Sequence, residues 1–152
     1  MNRHQTRRGL AVGIALAVAA GLGACSPITT KIQYAASDGV RVAVSDTVSV
    51  QNLMIIAAAE GAPGALQGGV VNNGAEPASV VIGDVTVEVP AGATVLLGGS
   101  TGDELVIDQT TAAPGANAQL TVGLDGATGE TVFVPVLDGT LPEYADLVPA
   151  AS

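Results

Sequence analysis

The chain has 152 residues and is acidic, with fourteen Asp and Glu against five Lys and Arg; it holds one histidine, one cysteine, no tryptophan and three other aromatic residues. Such a charge repels phosphate, which excludes nucleic acid as a partner. The one histidine, His4, lies in an N-terminal stretch that reads as removable, so the mature chain is expected to have no ordinary Ser-His or Cys-His nucleophile pair, no internal disulfide on its lone Cys25, no zinc or copper site of several imidazoles or thiolates, and no enzymatic activity.

Residues 1–24 read as an address. Arg3, Arg7 and Arg8 precede an uncharged run, LAVGIALAVAA, from Leu10 to Ala20, and small residues follow. A basic patch, a short apolar run and a small-residue end describe a secretory signal, whereas a membrane-spanning helix needs about 20 apolar residues. The next four residues, Leu22, Gly23, Ala24 and Cys25, resemble the bacterial lipobox. That resemblance implies a diacylglyceryl group on the Cys25 sulfur and cleavage just before it. Two acyl chains suffice for stable attachment. The expected location is the outer, extracytoplasmic face of the cell membrane.

Loss of residues 1–24 would leave Lys31 and Arg41 against all fourteen acids, a net side-chain charge of −12. The remaining 128 residues suit one domain. Residues 25–39 read as lipid anchor and tether, 40–140 as the domain and 141–152 as a C-terminal tail. Strand signals are dense from Val40 onward. Alternation is clear in VRVAVSDTVSV and in DVTVEV, where Val85, Val87 and Val89 share a face against Asp84, Thr86 and Glu88. Further strands are expected in NLMIIAAA, LQGGVVN, ASVVIG, TVLLG, ELVID, AQLTVGL and ETVFVPV. A helical turn could enter at Ala57–Glu60.

Turn signals separate these runs: Asn72-Asn73-Gly74 with Glu76-Pro77, then Pro90-Ala91-Gly92, Pro114-Gly115 and Asp125-Gly126. Short strands with turns at roughly 8–12-residue spacing predict an all-β sandwich or barrel with an aliphatic core.

The stretch from Val48 to Leu137, with its Asn72–Gly74 turn, Pro90–Gly92 turn, Gly98-Gly99 pair and closing TVFVPV, resembles the PCuAC periplasmic copper chaperones. It is closer still to a group of actinobacterial lipoproteins. The resemblance implies an immunoglobulin-like or cupredoxin-like β-sandwich. It also implies a His-x-Met copper motif after the glycine pair, where this chain reads STGDELVID. No copper site and no cofactor are therefore expected.

Other candidates have plain structural readings beside the functional ones. Met54, within LMII, reads as core packing rather than a lone thioether ligand. Asp103, Glu104 and Asp108 could offer oxygens to calcium, but no DxDxDG loop frames them and a solvated acidic loop is the simpler reading. Pro142–Asp146 could be a recognition element or the cover of a sheet edge. The expected function is a membrane-anchored, non-catalytic interaction or structural module with a protein partner at the cell surface. The alternative is a ligand- or metal-binding lipoprotein related to the copper chaperones, with an altered or lost site.

Overall fold

In a computed structural model, residues 37–99, 102 and 104–150 are described. Among these residues nine strands form in chain order: β1 (Val40–Ala43), β2 (Val48–Ala57), β3 (Gly64–Asn72), β4 (Ala78–Ile82), β5 (Val85–Val89), β6 (Thr94–Leu97), β7 (Val106–Ile107), β8 (Asn117–Leu124) and β9 (Glu130–Leu137). Each expected segment contains strand, but VRVAVSDTVSV is interrupted between Ala43 and Val48, and its end continues with NLMIIA as the single strand β2. The period-two pattern explains the strands: along β8, Ala118, Leu120 and Val122 are buried while Asn117, Gln119 and Thr121 face solvent. No helical turn enters at Ala57–Glu60, because Ala57 is still paired with Gly64 and the chain then turns at once. Among the described residues the one helical turn is a 3-10 turn at Ala145–Leu147.

The strands pair in the order β5-β4-β8-β9-β2-β3-β6, with β1 also on β2 and β7 also on β3. One layer is β5-β4-β8-β9 and the other is built on β2, β3 and β6. Strand β9 belongs to both. Its first part pairs antiparallel with β8, and its end runs parallel to β2 through Ile55–Val136 and Ile56–Leu137. The result is an all-β sandwich closed along one side, giving it a barrel-like aspect. Between the layers lies a core of aliphatic side chains, among them Leu53, Ile55, Leu66, Val70, Ile82 and Val134. Each such burial contributes about 1.5–3 kcal/mol, so numerous small residues offset the lack of aromatic ones.

Two of the expected turns join different layers rather than neighbouring strands. The Asn72–Pro77 turn carries the chain from β3 to β4, and the Pro90–Gly92 turn carries it back from β5 to β6. Asn72 ties them together. Its buried side-chain amide donates to the carbonyls of Glu76 at 2.8 Å and of Val89 and Pro90 at 3.2 Å, while its side-chain oxygen accepts from Gly74 N–H at 2.9 Å. Gly92 N–H then donates to Gly74 O at 3.1 Å.

A bulge in β2 decides which residues face outward. Gln51 pairs with Gly69 and Met54 with Gln67, so Asn52 and Leu53 together oppose Gly68. Before the bulge Val48 and Val50 point into the core; after it Leu53, Ile55 and Ala57 do. The inserted residue shifts the inward parity by one. Asn52 takes a left-handed conformation, φ 51°, which asparagine tolerates better than most residues.

Candidate interaction site

After the bulge, Met54 and Ile56 lie on the outer face of β2, beside Gln67 and Ala65 of β3 through direct pairing. The same outer face carries Gly69 and Val71 of β3 and, next to them, Leu96 and Thr94 of β6. Gly68 and Gly69 add no side chains. The sheet is therefore hollowed there into an open trough of about 530 Å³, floored by glycine backbone and walled by Met54, Val71 and Leu96. Leu96 is 49% exposed, a large apolar side chain on the rim. The trough's polar groups are the neutral amides of Gln51, Asn52 and Gln67, with the Thr94 hydroxyl. Among the described residues no charged one lines it.

A smaller hollow of about 150 Å³ adjoins the trough and shares Gln67, Gly98 and Gly99 with it. It exists because the partner of β3 changes along its length. β6 pairs Gly68–Val71 and β7 pairs Gly64–Ala65, which leaves Gln67 between the two pairings. Its other boundaries are Ala65, Glu104 and, from the C-terminal segment, Asp146 and Leu147. Glu104 and Asp146 make this end acidic.

The C-terminal segment is tied down near its helical turn. The Tyr144 hydroxyl donates to the Asp38 carboxylate at 2.5 Å, bridging residues 106 positions apart. That bond to an anion holds the phenol proton in place and pushes its pKa up to about 12, with lesser contributions from burial and nearby negative charge. At the start of the segment, Thr140 N–H donates to Asp138 Oδ1 at 2.9 Å, and this bond holds the Asp138 carboxyl below the usual carboxylate range.

The residues singled out from sequence distribute unevenly over this geometry. Leu22, Gly23, Ala24 and Cys25 lie outside the described residues, as do His4, Lys31, Tyr34 and Asp103. Met54 is buried, but on the outer face, where it forms a wall of the trough instead of joining the inter-layer core. Glu104 borders the acidic hollow, and Asp108 is exposed beyond β7. Among the described residues no group of three His, Cys, Asp or Glu side chains is placed to hold a metal ion. Also among the described residues, no helix is long and apolar enough to cross a membrane. Pro142–Asp146 supplies Tyr144 and Asp146, one as a tie to Asp38 and the other as part of the hollow.

Sequence reasoning passed over Gln51, Gln67, Gly68, Gly69 and Leu96. A signal was present: paired glycines inside a strand pattern mark a bulge or a close backbone approach. What they open onto depends on the parity switch at Asn52, which no local pattern announces.

No protein-family model matches the chain, and no curated protein matches it significantly in sequence.

Proposed function

We propose that this chain is a membrane-anchored, extracytoplasmic interaction module without catalytic activity, held by lipid on Cys25, and that it meets a protein partner through the trough on β2, β3 and β6. The observation that supports this reading is the trough itself. On a chain that carries fourteen acids, it is an uncharged hollow with an exposed leucine at its rim and amide groups along it. Depletion of charge at the centre of a patch, with apolar anchors and a polar surround, is the composition of interface cores. Phe133, 61% exposed on the outer face of the other layer, is a second apolar side chain open to solvent, but the hollow beside its paired neighbour Gln119 is lined by the polar residues Thr111, Asn117 and Gln119 and not by Phe133.

Site-specific photocrosslinking in the native membrane tests the proposal. A photoreactive residue at Leu96 should yield an adduct with a defined protein, and the same residue at Thr86, exposed on β5, should not. Gly69→Val should suppress the adduct by filling the trough, and Cys25→Ala should suppress it by removing the anchor. Equal labelling from Thr86, or an adduct indifferent to Gly69→Val, would count against the trough as the contact site.

The volume of the trough favours a second reading, as hollows of about 300–1,000 Å³ commonly hold small molecules. Native mass spectrometry of the full-length protein extracted from its own membrane would reveal a retained apolar ligand. Its loss in Gly69→Val would shift the assignment from protein partner to small molecule.

A further inference from the structure

We infer that the trough and the acidic hollow beside it form one composite site, and that its occupant is an extended segment of a protein partner with an aliphatic side chain within two residues of a lysine or arginine. The inference rests on the interaction-module reading and specifies its partner's chemistry.

Continuity comes first. Gln67, Gly98 and Gly99 border both hollows, so the two adjoin and an extended ligand that crosses Gln67 can reach from one into the other. The Gln67 side chain lies directly over Gly98, where an added Cβ would fall 2.2 Å from its amide nitrogen. The Gln67 side chain is therefore the group that the two hollows share at their boundary.

Charge complementarity then orients the occupant. At one end Met54, Val71 and Leu96 surround a glycine floor without any charge; at the other, Glu104 and Asp146 border a space of about 150 Å³. Arg41 is the only basic residue among the described ones, and it borders a separate hollow with Asp46. No described cation neutralises Glu104 and Asp146 from within the chain. A lysine or arginine suits the junction because its apolar stem can lie along the Ala65 and Leu147 surface while its charged head meets the carboxylates. Gln51 and Gln67 can each both donate and accept, which matches the alternating N–H and C=O groups of an extended peptide. A simple organic cation would fill the acidic end and leave the aliphatic end empty.

The experiment pans a phage-displayed random heptapeptide library on the full-length, lipidated protein in nanodiscs, then measures binding of the enriched peptides by fluorescence anisotropy. Enriched sequences should place Lys or Arg within two residues of Val, Leu or Ile. The double variant Glu104→Gln/Asp146→Asn should weaken them roughly 1.5- to fivefold, the range for exposed charge pairs. Gly69→Val should abolish their binding. Enrichment without a basic residue, or affinity unchanged in the double variant, would overturn the composite site, as would binding that survives Gly69→Val. Failure to enrich any peptide, with the Leu96 adduct in membranes intact, overturns the peptide chemistry alone. Loss of that adduct removes the interaction reading and this inference with it.

Discussion

The side-chain oxygen of Asn52 accepts the backbone N–H of Gly39 at 2.8 Å, pinning the residue before β1 to the bulge in β2. The contact is close enough to exclude any side chain at Gly39, where a Cβ would lie 2.4 Å from the Asn52 carbonyl carbon. On the other side Gly68, at φ 134°, would place a Cβ 2.6 Å from Gln51 O. The bulge is thus clasped between two glycines. Gly39→Ala and Gly68→Ala should each destabilise the fold by about 2–4 kcal/mol, because backbone and not a movable side chain stands in the way. Urea unfolding should show a lowered midpoint with an unchanged slope; midpoints like the wild type would refute the clasp.

Gly69, the next residue, makes the opposite case. Its nearest neighbours to an added Cβ are the Leu96 side chain and Val95 O, both at 3.5 Å, which is ordinary contact. Gly69→Val puts a β-branched residue in a strand interior and fills the trough. Stability should hold or rise by about 0.5–1 kcal/mol, from the relief of glycine's backbone entropy. A marked loss of stability would mean that the trough floor is packed more tightly than its geometry indicates.

Asn72 is the polar residue on which two turns converge. Asn72→Ala leaves the carbonyls of Glu76, Val89 and Pro90 without their shared donor, and should cost about 2–4 kcal/mol. Asn72→Asp should be at least as damaging at neutral pH, since a buried carboxylate would face those same carbonyl oxygens. Hydrogen exchange at Gly74 and Gly92 should quicken in both variants. Unaltered protection there would show that the turns hold each other without Asn72.

The tie between Tyr144 and Asp38 has a pH signature. Its folded-state pKa, near 12, lies above the ordinary value of 10.0, so the tie's contribution is complete below pH 10 and is lost as pH rises through about 12. In a Tyr34→Phe background, tyrosinate absorbance should report Tyr144 alone and rise near pH 12. Asp38→Asn should bring that rise down toward the ordinary range. The same midpoint in both proteins would dissolve the tie.

Cys25→Ala tests the part of the reading that rests on sequence alone. It should leave the precursor uncleaved or release the chain from the membrane, as seen by gel mobility and fractionation. Unchanged cleavage and full membrane retention would remove lipid attachment at Cys25.

How much of this was legible beforehand follows from the range of each interaction. Strand positions were, because alternation such as Val85, Val87 and Val89 against Thr86 and Glu88 is a local consequence of the pleat. The turns at Asn72–Gly74 and Pro90–Gly92 were legible too, since they depend on the backbone preferences of the residues themselves. The proposed anchor at Cys25 rests on a short linear pattern, which needs no fold to be read. By itself, then, the sequence determined an all-β chain, the approximate positions of its strands and its aliphatic core. Only the tertiary structure decided which strands are neighbours: β9 closing the sandwich against β2, Asn72 joining two distant turns, and Tyr144 reaching Asp38. It also decided that Met54 faces outward, through one inserted residue at Asn52 that shifts every later side chain of β2 to the other face. Pairings across 17 or 106 positions are chosen by the packing of the whole chain, and no local preference encodes them.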